Sequence, residues 1–227
     1  LKRIKNFNYN SINNFLYCGY NYENTTHIEN VFKVKPSHSI FFKNFDIKET
    51  KYWELKKNHT NYNLEDSTDI VDQELSRSVQ SHLASDVPIS ILLSGGLDSS
   101  LITYYSKKNS IEKNISTITI NMDNQLSNDE IDNINFLKNK FKIENKMLEV
   151  SSKNIIKDIE KNVDVYDDLQ SADAGYLTNN EIAKKLKENN FKVVLVGDGS
   201  DEIFGGYSWF GLSKFPFKLL NEKIKNL

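Results

Sequence analysis

The apolar run Val87–Leu93 passes without a break into Ser94-Gly95-Gly96-Leu97-Asp98-Ser99-Ser100 and then into an amphipathic stretch. A strand buried on both faces requires such a run, and a strand, a glycine turn and a helix in succession open a βαβ unit. The pattern then repeats. A helix is expected over about Asp98–Lys108, a strand at Ile115–Met122, a helix over Asp129–Phe141 and a strand at Lys146–Val150. Helices follow around Lys153–Val163 and Ala174–Asn189, and Lys192–Val196 reads as a second fully apolar strand. Upstream, Ile70, Val71, Leu75, Val79 and Leu83 recur at three- and four-residue spacing, which predicts a helix that begins near Leu64, with Asp66 or Ser67 as its cap, and ends before Pro88. Strands alternating with helices through short connections imply an α/β fold built on a doubly wound parallel sheet.

The first 55 residues read differently. They are aromatic-rich, with the β-branched runs Ile28–Val34 and Ser39–Phe42 separated by Pro36 and polar clusters, a pattern of short strands and turns. At 227 residues the chain is long enough for one large domain, or for one domain and part of another. The expected division is 1–55 and 56–227.

Composition excludes several function classes. A net charge of -2 removes the electrostatic footprint of a dedicated nucleic-acid binder. The single cysteine, Cys18, excludes an intrachain disulfide framework and a Cys-rich zinc site. His27, His38, His59 and His82 lack metal-ligand spacing. No stretch approaches the roughly 20 apolar residues of a membrane span, and Leu1–Tyr20 is too rich in Lys and Asn for a signal peptide. The chain therefore reads as cytoplasmic, with no membrane partner. The aromatic group Phe204, Tyr207, Trp209, Phe210, Phe215 and Phe217 reads as core packing or as a surface left uncovered.

Two loops carry the chemistry. In an open parallel sheet, ligands sit beyond the carboxyl ends of the strands, where Ser94–Ser100 falls. Its two glycines let backbone approach an anion, its hydroxyls add donors, and the next helix brings free N–H groups and a partial positive charge. The result is a cradle for phosphate or pyrophosphate. It is neither a Walker A loop nor a dinucleotide fingerprint. Asp98 beside a polyphosphate would be repelled unless a divalent cation bridged them, which implies Mg²⁺. The plainer alternative is a Gly-Gly turn with Asp98 capping the helix.

The second loop, Gly197-Asp198-Gly199-Ser200-Asp201-Glu202-Ile203-Phe204-Gly205-Gly206-Tyr207, follows the last apolar strand. With parallel strands it emerges at the same edge as the first. Asp198, Asp201 and Glu202 are then candidate catalytic acids, able to hold Mg²⁺, orient an amine nucleophile or stabilise charge developing on it. The alternative is a solvated acidic turn with Ser200 as a helix cap.

Ser94–Ser100 resembles the pyrophosphate-binding loop of the ATP pyrophosphatase (PP-loop) superfamily, and Gly197–Tyr207 resembles the second signature of glutamine-hydrolysing asparagine synthetases. Thr117–Asp123 and Asp129-Glu130 are similar to that family's next strand end and acidic pair, and Tyr17, Gly19, Pro36, His38 and Tyr52-Trp53 are similar to its glutaminase domain and linker. The resemblance implies an adenine nucleotide alpha-hydrolase-like fold. Residues 1–55 would be the end of an Ntn-type glutaminase domain, and 56–227 the first part of a synthetase domain. It implies that Ser94, Gly95, Gly96, Leu97, Asp98, Ser99 and Ser100 bind ATP and that Leu92 and Ile120 contact adenine, largely through backbone. Gly197 would lie near the nucleotide, Asp98 and Asp201 would hold Mg²⁺, and Asp198 would act beside a β-aspartyl-AMP intermediate.

The substrates implied are ATP, aspartate, and ammonia or glutamine, and the full-length enzyme would be a homodimer. The chain would be a fragment, since the family's glutaminase nucleophile is an N-terminal cysteine and Cys18 is internal. Asp198 stands where many members carry Glu, and Asn121 where they carry Gly. Two competing readings keep the same loops: a related amidotransferase or cyclase acting on another carboxylate, and a non-catalytic nucleotide-binding scaffold.

Overall fold

The computed structural model describes residues 6–21, 24–56, 60–110, 115–153, 168–169, 176–208 and 210–211. The chain divides into two compact units. One comprises Leu1–Asn63 with Ser152–Glu181, the other Leu64–Ser151 with Ile182–Leu227.

The first unit holds a helix that composition concealed, α1 (Tyr9–Cys18). Asn8 caps it by accepting from the Ser11 N–H at 3.1 Å, and Gly19 ends it in the left-handed region at φ 78°. Cys18, at its last position, is exposed. Strands β1 (His38–Lys43) and β2 (Asp46–Lys51) form an antiparallel hairpin in register His38 to Lys51. Its turn residues Asn44 and Phe45 both have positive φ, the pairing that a two-residue hairpin turn demands. The strand expected at Ile28–Val34 does not form. Among the described residues this segment makes only the isolated bridges Phe7 to Ile28 and Thr25 to Phe32, because the Thr26 hydroxyl donates to the carbonyls of Ile28 and Val31 and Asn30 turns the chain at φ 62°.

The second unit is the α/β body. Helix α2 (Leu64–His82) precedes β3 (Ile89–Leu92), α3 (Leu97–Asn109), β4 (Ser116–Met122), α4 (Asn128–Phe141) and β5 (Glu144–Val150). Then come α5 (Tyr176–Glu188), which belongs to this unit from Ile182 onward, β6 (Val193–Leu195) and α6 (Ser200–Phe204). The four strands β5-β4-β3-β6 form one sheet, and all three pairings are parallel. The helix predicted at Lys153–Val163 lies mostly outside the described residues, as do His59, Trp209, Phe215 and Phe217.

The core sits between the sheet and the helices. Ile89, Ile91 and Ile115 pack with Val79 and Leu83 from the α2 side and Tyr105 of α3, while Leu93 packs with Ile134 and Leu137 of α4. The predicted apolar stripe of α2 is deep only at its end: Val79 and Leu83 are buried, whereas Ile70 and Val71 are exposed. Tyr105 also donates to Asp72 at 2.6 Å, which ties α3 to α2, and its hydroxyl is pushed up to about 12 by burial and by that carboxylate. The strand β6, read as fully apolar, is only half-buried because it lies at the sheet's edge among the described strands. The order of strands reverses at β3: β4 and β5 lie to one side and β6 to the other. Such a reversal opens the crevice where ligands settle in this architecture.

Candidate active site

Both loops leave the sheet from the carboxyl ends of adjacent strands, since β3 pairs with β6 in register Ile91 to Leu195. They meet. A β-carbon on Gly197 would stand 3.1 Å from Asp98 Cβ and 3.5 Å from the Ser99 nitrogen, so the second loop rests directly on the first turn of α3.

The first loop is braced from beneath. Gly95 is buried at φ 84°, and a β-carbon there would come within 2.6 Å of the Glu130 carbonyl oxygen. Asn133 Nδ2 donates to the Gly95 carbonyl at 3.2 Å. Glu130 and Ser127 form a capping box that fixes the start of α4, and the Ser127 N–H and hydroxyl hold the Glu130 carboxyl below its usual range. The contribution of Glu130 and Asn133 to the loop is not legible in the sequence. The Ser-x-x-Glu spacing signals only the cap.

The loop hydroxyls are engaged with the loop itself. Ser99 Oγ accepts from the Ser94 N–H at 3.2 Å, lies 3.0 Å from Ser94 Oγ and donates to the Gly96 carbonyl at 3.2 Å. The Gly96 N–H donates to Ser94 Oγ at 3.3 Å, and Ser100 Oγ donates to the Gly96 carbonyl at 2.6 Å. Serine hydroxyls expected to face a ligand therefore shape the turn. The donors left for an anion are the N–H groups of Leu97, Asp98 and Ser99, which have no intrahelical acceptor. Asp98 is not the cap of α3: Gly96 holds that position with no side-chain bond, and Asp98 lies in the first turn. Leu97 is exposed, whereas Ser99 is buried.

In the second loop, Gly199 rather than Ser200 caps α6, and Ser200 Oγ donates back to the Gly197 carbonyl at 2.6 Å. Asp198 and Glu202 are exposed and Asp201 is half-buried. Tyr207 donates to Glu202 Oε1 at 2.7 Å, which holds that carboxyl below its ordinary value. The same bond, then burial and the charges of Glu202, Asp201 and Asp198, pushes the Tyr207 hydroxyl above its ordinary value. Of the aromatic group, Phe204 is 58% and Phe210 41% exposed, whereas Tyr207 is half-buried.

Leu92 and Ile120 flank this edge from β3 and β4, both half-buried. The β3 register stops at Leu92 opposite Ile118, so Ile120 and Asn121 extend past β3 while staying paired with Leu148 and Glu149 of β5. Among the described residues no three His, Cys, Asp or Glu side chains gather as a protein-only metal site would require. A cation at Asp98 and Asp201 would take its remaining ligands from phosphate and water, the usual arrangement for Mg²⁺. The free N–H groups of α3 and the glycine-lined approach fit a pyrophosphate. An apolar cavity of about 340 Å³, lined by Leu83, Pro88, Ile89 and Ile115 among others, lies at the opposite edge and carries none of these groups.

Fold and loops together define an α/β protein in which two loops meet at a strand-order reversal, with backbone donors on one loop and carboxylates on the next. The chain belongs to the asparagine synthase family, whose model matches residues 70–224. It is 28% identical over 175 residues to asparagine synthetase B (glutamine-hydrolyzing) of Escherichia coli strain K12, covering 68% of this chain and 30% of that protein. It is 27% identical over 214 residues to asparagine synthetase (glutamine-hydrolyzing) 3 of Bacillus subtilis strain 168, with 86% and 34% covered. It is 26% identical over 205 residues to amidase chyE of Penicillium rubens, with 83% and 30% covered. The chain thus spans about a third of the length of these relatives. No helix among the described residues is long and apolar enough to cross a membrane.

Proposed function

We propose that the protein carrying this chain is a ligase of the glutamine-hydrolysing asparagine synthase type, acting in the cytoplasm. In this reading residues 56–227 belong to the synthetase domain and 1–55 to the end of a glutaminase domain. Aspartate attacks the α-phosphorus of ATP and pyrophosphate leaves. Ammonia then forms the new C–N bond as the acyl–oxygen bond to AMP breaks. The contact of Gly197 with Asp98 and Ser99 carries the reading, because it sets the carboxylate loop against the donor loop.

Placement supports the following roles. The N–H groups of Leu97, Asp98 and Ser99 receive the pyrophosphate oxygens, with Ser94, Gly95, Gly96 and Ser100 holding the turn open. Leu92, Ile120 and Gly197 border the nucleoside. Asp98 and Asp201 would hold Mg²⁺, which when bound neutralises phosphate charge beside them. Asp198 and Glu202, on the exposed rim, face the nucleophile.

The test is release of AMP and pyrophosphate from Mg²⁺-ATP. Release that requires aspartate supports the proposal. Release with another carboxylate but not aspartate favours the second reading, an acceptor other than aspartate, to which the similarity to a protein named an amidase lends support. No release with any acceptor would leave a nucleotide-binding scaffold.

A further inference from the structure

The second loop turns back on itself just after α6. Gly205, at φ 70°, donates its N–H to the Asp201 carbonyl at 2.9 Å, and Gly206 donates to the same oxygen at 3.1 Å. A β-carbon on Gly206 would overlap Asp201 Oδ1, so any side chain there would displace the Asp201 carboxylate from its present position. That return delivers Tyr207 to Glu202, with the hydroxyl donating to Oε1 at 2.7 Å. The ring is half-buried and stacks on Phe210, with centroids 6.0 Å apart and planes at 23°. An exposed, flexible carboxylate is therefore gripped by an aromatic ring that has few torsions to lose.

We propose that Tyr207 is a positioning residue that fixes the Glu202 carboxylate for the incoming nitrogen nucleophile, an inference that rests on the ligase reading above. The chemistry favours nitrogen over phosphate. An anion beside polyphosphate is repelled unless a cation lies between them. Glu202 is tied to a neutral phenol, and its carboxylate suits ammonia or a primary amine. Asp98 and Asp201 remain for the phosphate side. The ring stacking supplies rigidity and the hydroxyl supplies direction, so removing the oxygen alone separates the two.

The experiment measures two half-reactions in the whole protein: aspartate-dependent exchange of labelled pyrophosphate into ATP, and amide formation from ammonia. Tyr207→Phe keeps the ring and its stacking. It should slow amide formation about tenfold more than exchange, through kcat rather than the KM for ATP, as misplacement of one group does. Glu202→Gln should impair the same step, and the double variant should be no slower than Glu202→Gln alone. Multiplicative losses in the double variant, an equal loss of exchange, or a raised KM for aspartate would each overturn the inference. If the unaltered protein shows no exchange, the ligase reading itself fails, and the inference falls with it.

Discussion

Gly197 lies so close to Asp98 that a β-carbon on it would sit 3.1 Å from the aspartate's own Cβ. This is tighter than ordinary van der Waals contact, yet a small shift of either loop relieves it. Gly197→Ala should therefore fold, losing about 1 kcal/mol or less through slight overpacking. Binding should suffer more, because the carboxylate moves relative to the donors on α3. Calorimetric titration with Mg²⁺-ATP should show a clear loss of affinity, and an unchanged affinity would mean that the contact does not set the site.

Gly95 allows no such relief. Its φ of 84° disfavours any side chain, and a β-carbon would meet the Glu130 carbonyl at 2.6 Å, where backbone rather than a side-chain tip must yield. Gly95→Ala combines both penalties and should destabilise the protein by about 2–4 kcal/mol. Urea denaturation reads this directly.

Asp98 and Asp198 should separate by step. Asp98→Asn removes a charge beside the donor loop and should abolish the Mg²⁺ dependence of ATP binding. Asp198→Ala removes an exposed acid from the rim and should leave ATP binding within about threefold while amide formation is lost, since only an interaction made in the reaction is removed. Normal Mg²⁺-ATP binding by Asp98→Asn would refute the metal assignment.

Asp168 is a pH-sensitive anchor of the first unit. Its side chain is 15% exposed and pairs with Lys33, with His27 at 3.3 Å. Burial pushes the carboxyl up, but Lys33, the Leu169 N–H and His27 outweigh it and hold the group below the ordinary 3.8. With the folded value below the unfolded one, the stabilisation is complete above the ordinary carboxylate range and is lost as pH falls through the folded value. Asp168→Asn should cost about 1–2 kcal/mol at neutral pH, between the values for exposed and buried pairs. The gap from the unaltered protein should close on acidification, and a pH-independent gap would contradict this.

The α/β body was legible because its periods are strong. Asn128–Phe141 and Ser116–Met122 form within a residue of where apolar spacing places them. The convergence of the loops followed from parallel strands alone. The first unit resisted reading because its aromatics imitate strands, although Asn8 and Gly19 marked α1 at both ends. Within the site, sequence could list donors but not their partners. Ser94 and Ser99 bond one another, and Asn133 supports Gly95 from another helix, contacts set by tertiary packing.

One titration tests the shared site most directly. Backbone amide resonances of the labelled protein are followed by NMR as Mg²⁺-ATP is added. Leu97, Asp98 and Ser99 should move together with Gly197, Asp198 and Asp201, along a single binding curve. Movement of one loop without the other, or shifts confined to Val87, Ile89 and Ile115 at the opposite edge, would contradict a nucleotide held by both.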